Sequence, residues 1–232
     1  MSLDRRPREN SAGGDVGVAA SRDGARVRRG VPGHESFSAI LEPNHWRRLP
    51  LAVRRRFGRQ LSPGESAIFV GEVAETRCTA VGWVWARLAR LAGAPLPLKV
   101  LARTAAVVVV TADIVGDAQL WTRIYHEPGR LPQVIRSIKS FTGPTGLEER
   151  VGAGIAMSLV VSVEHRALVF RSSGYRWRWG RLAVRIPALL TPGEIVVQHR
   201  EERQGQFSFT LRVVHPWFGQ ILHQVAFFRD AS

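Results

Sequence analysis

The sequence predicts a mainly β fold with a minority of α-helix: an antiparallel, strongly curved sheet or partly open β-barrel of about nine strands, with one or two packed helices. From Leu98 onward, segment after segment alternates apolar and polar side chains with the period of two that a half-buried strand requires. Short turns rich in glycine and proline join most of these segments. The alternation is long, which favours a sheet that curves around a cavity or a helix.

The chain has 232 residues and divides into a tail and one body. Residues 1–35 are rich in glycine, serine and arginine and contain hardly any large apolar side chain. Such a segment cannot bury enough surface to offset its ordering entropy, so we expect a disordered, basic N-terminal tail. Residues 36–232 are expected to form a single antiparallel β-barrel-like domain.

Two helices are predicted before the main run of strands. Pro50 in a first helical turn indicates a helix from Pro50 to Phe57. After a first strand at Glu65–Cys78, apolar side chains recur at helical spacing through Thr79–Ala92, and Gly93 and Pro95 follow. We expect this second helix to cover or plug the sheet.

The remaining strands follow from alternation bounded by turn residues. In the stretch Phe207–Val213 the alternation carries His215 onto the apolar face, and Pro216 and Gly219 predict a turn after it. The predicted strands are Glu65–Cys78, Val100–Val115, Asp117–His126, Leu131–Phe141, Leu147–His165, Ala167–Arg178, Glu194–Arg203, Gln206–His215 and Gln220–Arg229.

A polar cluster is predicted inside the sheet. Trp121 and Arg123 share one face of their strand, and an arginine buried beside a large aromatic side chain requires an acidic partner. Glu149 and Glu202 are the candidates, and His215 is the fifth member of the set. The cluster is interpreted either as a structural ion-pair network or as a site that orients a ligand or performs acid–base chemistry.

Several classes of site are excluded by the motifs. Gly152-Ala153-Gly154 lacks the third glycine of a dinucleotide fingerprint, since Met157 occupies that position, and no phosphate-binding loop occurs. The seven histidines show no pair at metal-ligand spacing on a helix, and Cys78 is the only cysteine. We therefore expect neither a bound cofactor nor a metal.

The net charge of +14 is unusual, and all but Lys99 and Lys139 of the 33 basic residues are arginines. This excess reflects either genomic composition or attraction to an anionic partner. No recognised nucleic-acid-binding module is present, so nucleic acid is not an expected partner. The first 35 positions contain no apolar stretch of signal-peptide length, and no segment reaches the length of a membrane span, so a cytoplasmic protein is expected.

The motifs in order resemble those of a bacterial family catalogued as domain of unknown function 4166, over about Leu41 to Phe228. They are Trp121-x-Arg123, Gly146-Leu147-Glu148-Glu149 with Gly152, Ile186-Pro187, Leu190-x-Pro192, Gly205-x-Phe207-x-Phe209 and His215-Pro216-x-x-Gly219. The family has no established activity. Its members are often fused to, or encoded beside, a saccharopine-dehydrogenase-like protein, so the resemblance implies a separate dehydrogenase-like partner. Family members often carry a histidine where this chain has Arg56-Phe57.

Three functions are compatible with these observations. The first is a non-catalytic or accessory module that binds an apolar or amphipathic small molecule inside the curved sheet. The second is an enzyme, or a dehydrogenase-associated subunit, with His215 as acid–base, Glu149 or Glu202 orienting it, and Arg123 holding an anionic substrate. The third is a peripheral membrane protein that uses the arginines from Arg47 to Arg59 and the tryptophans near Trp83 on an anionic surface.

Overall fold

Eleven antiparallel strands form a single sheet in the computed structural model, which describes residues 36–91, 103–114, 118–180, 182–203 and 205–231. The predicted disordered tail, residues 1–35, lies outside the described residues, as do the first residues of the predicted strand at Val100. The strands are β1 (Ser66–Cys78), β2 (Thr104–Ala112), β3 (Ala118–His126), β4 (Gln133–Ser140), β5 (Glu148–Gly152), β6 (Ile155–Glu164), β7 (Ala167–Trp179), β8 (Leu182–Ile186), β9 (Glu194–Arg203), β10 (Gln206–His215) and β11 (Gly219–Asp230).

Ten of these strands close into a barrel, which confirms the predicted fold class. The order around the ring is β6-β5-β4-β3-β2-β1-β11-β10-β9-β7, and β7 pairs back onto β6 from Ile155↔Trp177 to Glu164↔Ala167. Closure removes the free sheet edges that an open sheet would expose. The eleventh strand, β8, lies outside the ring and pairs only with the second half of β7.

The predicted single strand Leu147–His165 is wrong, because the chain reverses within it. Gly152 pairs with Ile155, and the two residues between them have positive φ angles, 41° at Ala153 and 78° at Gly154. A two-residue turn with both φ angles positive matches the twist of a β-hairpin. Such a turn alone reverses which positions face inward, but the register shift between Arg150 and Gly152 adds one residue and restores the phase. Glu149 and Met157 therefore share a face, and the sequence pattern continues without a break.

Four helices lie at the two ends of the barrel. They are α1 (Phe37–Ile40), α2 (Pro43–Arg47), α3 (Leu51–Gly58) and α4 (Ala80–Leu91). Helices α1 and α3 cover one end. There the ring of Phe37 makes edge-to-face contacts with Phe57 and Phe170, and Phe57 also packs on Phe170. Helix α3 begins one residue after the predicted start at Pro50, which is its N-cap, and it buries Val53 and Phe57.

Helix α4 lies at the opposite end of the barrel. The backbone N–H of Thr79 donates to the carbonyl of Ile221 at the start of β11, and the Thr79 hydroxyl accepts from the Gly82 N–H at 3.1 Å. A Cβ atom at Gly82 would lie 2.2 Å from the Ile221 carbonyl oxygen, so only glycine allows this close approach. Helix α3 instead contacts Asp230, at the other end of β11. The arginines of residues 47–59 and Trp83 therefore do not form one surface.

Candidate functional site

The barrel interior contains a cavity of about 340 Å³ beneath α4. Trp85 and Leu88 of α4 face it, and the wall supplies mainly aliphatic and aromatic side chains, among them Val108, Ile135, Met157, Leu159 and Phe170. These side chains point inward because they occupy alternate positions of their strands. A largely apolar cavity of this size is typical of sites for small molecules.

One side of this apolar wall carries a group of charged side chains, Arg123, Lys139 and Glu149, with the hydroxyl of Ser137. Lys139 and Glu149 face each other directly across the β4–β5 ladder, and their Nζ and Oε2 atoms are 2.7 Å apart. Arg123 lies 3.6 Å from the other carboxylate oxygen and donates to Ser137 Oγ at 3.1 Å. Two cations face one carboxylate, so the group has one uncompensated positive charge.

Trp121 provides an aromatic face to both cations. Lys139 Nζ lies 4.7 Å and Arg123 Cζ 5.7 Å from the centroid of its ring. The indole N–H donates to Gln119 Oε1 at 3.2 Å, which holds the ring in orientation. Attraction between a cation and a ring face is strongest where water is excluded, so Trp121 offsets part of the cost of burying Lys139.

Burial and neighbouring charges shift the pKa values of the buried pair in this group. Burial lowers the pKa of Lys139 to about 8, with Arg123 adding to the decrease and Glu149 opposing it. Burial alone would raise the pKa of Glu149, but Lys139 and Arg123, with hydrogen bonds from Lys139 and Ser137, lower it to about 2. Glu149 is therefore ionised at neutral pH, and Lys139 is the residue of the pair whose pKa lies nearer to neutral pH.

Between β7 and β9 the cavity wall is only partly formed by paired strands. These strands pair only from Leu168↔His199 to Arg171↔Val196, and further along β7 pairs with β8 instead. The chain from Ile186 to Gly193 covers the gap, and Leu190 and Pro192 within it line the cavity. The Tyr175 hydroxyl donates to the Gly193 carbonyl at 2.9 Å, and burial raises the pKa of that hydroxyl. Side-chain hydrogen bonds, and not a strand ladder, hold this segment.

A second cavity of about 360 Å³ lies at the other end of the barrel, beneath α3. Arg55, Arg56 and Arg59 of the predicted basic run line it, together with Glu201 and Asp230. Trp121 and Phe209 line both cavities and so separate the two halves of the interior.

Arg56 links α3 to the barrel. Its guanidinium lies 3.2 Å from Glu201 Oε2 and 3.3 Å from Asp230 Oδ2, and its Cζ sits 3.8 Å above the ring of Phe207. Nη1 also lies 3.0 Å from Nε2 of the fully buried His199. Burial, followed by the Arg56 charge, lowers the pKa of His199 well below its usual range. His199 is therefore neutral and accepts from the guanidinium through Nε2.

The structure brings together three of the five predicted site residues, Trp121, Arg123 and Glu149. Glu202 is exposed and accepts a hydrogen bond from Ser208 Oγ at 2.6 Å. His215 is buried, and its Nδ1 accepts from the Trp217 N–H at 3.2 Å. Its ring packs against Trp85 and Phe218, outside the set of side chains that line either cavity. The predicted arrangement of His215 with a glutamate and Arg123 is not formed.

Lys139, Arg56 and His199 belong to the interior polar groups but are not among the predicted site residues. For Lys139 a signal existed, since it continues the inward series Ile135, Ser137 of its predicted strand. Nothing local in the sequence pairs Arg56 with His199, which are 143 residues apart.

The described residues contain no group of three or more His, Cys, Asp or Glu side chains that could hold a metal ion. No helix in this part of the chain is long and apolar enough to cross a membrane.

The comparison with protein families agrees with the resemblance that the sequence motifs indicate. The model of the family described as "Domain of unknown function (DUF4166)" matches residues 49–228, from two residues before α3 to two residues before the end of β11. The chain belongs to this family. The DUF4166 match includes every strand of the barrel and every residue of the charged group. No curated protein and no solved structure matches the chain.

Proposed function

We propose that this DUF4166 barrel is a non-catalytic module that binds an apolar or amphipathic small molecule in the cavity beneath α4. The observation that carries the proposal is an apolar cavity of about 340 Å³ with Arg123, Lys139 and Glu149 on one wall. The apolar lining favours a hydrocarbon body, because each buried methylene contributes about 0.8 kcal/mol.

The charged group selects the polar end of the ligand. Arg123 has a quarter of its side-chain surface accessible, whereas Lys139 and Glu149 are nearly sealed. An anionic end such as a carboxylate can therefore approach Arg123 and neutralise the one uncompensated positive charge of the group. A ligand with a neutral or cationic end gains no such interaction. The ligand class that fits both the apolar lining and the charged group is an aliphatic acid.

Displacement of a fluorescent fatty acid from the purified full chain tests the proposal. We expect long-chain fatty acids to displace the probe, and the alcohols of equal chain length to displace it several-fold less well. Affinity should fall as the pH rises above about 8, because Lys139 then loses its proton and the group of Arg123, Lys139 and Glu149 loses its net positive charge. Native mass spectrometry after mild purification should show bound lipid-sized molecules.

Two neighbouring leucines supply a matched pair of variants. Leu190 lines the cavity and Leu189 does not, and both lie exposed in the 3₁₀ turn Ala188–Leu190, so neither change should unfold the barrel. Leu190→Trp should fill part of the cavity and weaken fatty-acid binding about tenfold or more, whereas Leu189→Trp should leave it unchanged. Equal binding by the two variants, or no displacement by any fatty acid, would show that the cavity is not the site.

A further inference from the structure

Exposed large apolar side chains gather at the α4 end of the barrel. They lie on α4, on the β7–β8 hairpin, on the 3₁₀ turn after it and on the β10–β11 turn: Trp83, Val84, Leu88, Trp177, Trp179, Leu182, Val184, Leu190, Trp217 and Phe218. Water-soluble monomers rarely leave so large an apolar group uncovered, and such patches mark binding surfaces for proteins or membranes.

The β7–β8 hairpin is amphipathic. Trp177 lies across from Val184 and Trp179 across from Leu182, and the two tryptophan rings stack with centroids 6.0 Å apart. Trp179 and Leu182, nearest the tip, are 74% and 69% exposed. The alternate positions of the two strands hold Arg176, Arg178 and Arg185, of which Arg178 pairs with Glu148 at 3.0 Å. The hairpin therefore presents one apolar face and one cationic face.

Helix α4 and the β10–β11 turn continue the same surface. On α4, the guanidinium of Arg87 lies 4.1 Å above the ring of Trp83. Trp217 and Phe218 in the turn are 69% and 53% exposed, and their neighbour His215 packs on Trp85 of α4. Leu88 and Leu190 are exposed and also line the cavity, so the apolar surface is continuous with the cavity lining.

The three stretches of chain that supply most of this surface carry no acidic side chain. The sequence has no Asp or Glu between Glu75 and Asp113, between Glu164 and Glu194, or between Glu202 and Asp230. Those three stretches supply α4, the β7–β8 hairpin and the β10–β11 turn, and they contain arginines such as Arg87, Arg90 and Arg185. Tryptophan with arginine is the composition of segments that lie in the interface of a bilayer with anionic headgroups.

We propose that the mouth of the barrel docks on the surface of a membrane containing anionic lipids. The hairpin tip, α4 and the Trp217-Phe218 turn insert their apolar side chains among the headgroups, and the arginines bind lipid phosphates. Docking stands on the exposed surface alone. Its purpose, direct exchange of an aliphatic ligand between the bilayer and the cavity, rests on the proposed function.

Co-sedimentation of the full chain with vesicles tests docking. We expect binding to vesicles of phosphatidylcholine with phosphatidylglycerol, and much weaker binding to phosphatidylcholine alone. The double variant Trp179→Ala/Leu182→Ala should lower the affinity about tenfold or more, because it removes exposed apolar surface at the hairpin tip. Removing two cations by Arg87→Gln/Arg185→Gln should lower it by about fivefold per charge, and high salt should weaken the wild type similarly.

Matched substitutions at the opposite end serve as controls. Ile114 is 82% exposed after β2, and Arg203 is exposed at the end of β9. Ile114→Ala and Arg203→Gln should bind vesicles as the wild type does. Equal losses in both sets, or binding indifferent to anionic lipid, would overturn the inference and indicate non-specific attraction or a protein partner at this surface.

The two proposals fail in different experiments. Probe displacement without vesicles reports on the cavity, and Trp179→Ala/Leu182→Ala should leave it unchanged. Transfer of a fluorescent fatty acid from vesicles into the barrel should be slowed by this variant about as much as vesicle binding is weakened. Docking without displacement would overturn only the proposed ligand, and displacement without docking would overturn only the membrane partner.

Discussion

Lys139 Nζ and Glu149 Oε2 lie 2.7 Å apart on directly opposed, inward-facing positions of β4 and β5. Both side chains are almost completely buried, so each is the principal compensation for the charge of the other. Removing one partner leaves the other charge buried without it, and that situation costs more than the pair itself contributes. The cavity wall thus depends on both residues together.

Glu149→Gln should therefore destabilise the fold by about 3 kcal/mol. The physical reason is that Lys139 and Arg123 would then face a neutral amide in the interior. Urea denaturation at neutral pH gives the free energy of unfolding. Glu164, which pairs with Arg171 at the surface, supplies the control, and Glu164→Gln should cost less than about 1 kcal/mol. Similar losses in the two variants would contradict a compensated interior pair.

The same carboxylate predicts a pH dependence. Glu149 has a pKa of about 2 in the folded chain and 4.5 as the ordinary value. Between these pH values the unfolded chain binds one proton more than the folded chain, so the stability contributed by Glu149 is complete above pH 4.5 and is lost as the pH falls towards 2. The stability difference between wild type and Glu149→Gln should narrow over that range in urea titrations. A constant difference would contradict the lowered pKa.

Arg56 should be a stability residue, whereas its neighbour Arg55 should not. Arg56→Ala removes ion pairs with Glu201 and Asp230 and leaves Nε2 of His199 buried without a donor. We expect a loss of about 3 kcal/mol. Arg55 is exposed on the same helix, and Arg55→Ala should change stability by less than about 0.5 kcal/mol. Thermal unfolding of the two variants provides the comparison, and equal melting temperatures would refute the assigned role.

The β5–β6 turn offers a stabilising change. Ala153 has φ of 41°, a conformation that costs an ordinary side chain about 1 kcal/mol and that asparagine tolerates better. Ala153→Asn should raise the free energy of unfolding by up to about 1 kcal/mol, because asparagine adopts this φ angle with less strain and the backbone need not move. At the next position, Gly154→Ala should lower the free energy of unfolding, since the added Cβ atom would lie 2.3 Å from the Arg178 carbonyl oxygen. A destabilising Ala153→Asn would contradict the turn geometry.

Alternation in the sequence was sufficient to predict most of the strands and the inward direction of Trp121, Arg123 and Glu149. It did not reveal the hairpin at Ala153 and Gly154, since the register shift between Arg150 and Gly152 cancels the change of parity that a two-residue turn introduces. Strand β8 was also missed. Its residues Leu182–Ile186 are exposed or half-buried, so they lack the burial that produces a clear alternating pattern.

Glu202 is outside the cluster because its side chain is exposed to solvent, and His215 is outside it because a sequence does not specify which strands are neighbours. Four ladders separate β3 from β10 around the ring, through β2, β1 and β11, so His215 is far from Arg123 in strand order. His215 also lies at the last position of β10, beside the turn. The same reason explains the absence of Lys139 from the predicted site, since its partner became evident only from the β4–β5 register.

Strand β7 pairs with β9 along its first part and with β8 along its second part, and this division affects how easily the barrel wall opens. Around most of the ring, a passage through the wall would require a ladder of backbone hydrogen bonds to break cooperatively, which approaches the cost of unfolding. Between β7 and β9 beyond Arg171, the covering segment is held by separate anchors such as the bond from Tyr175 to Gly193. Anchors of that kind release one at a time, in local openings. The seam between β7 and β9 is therefore where the barrel wall opens at the lowest free-energy cost.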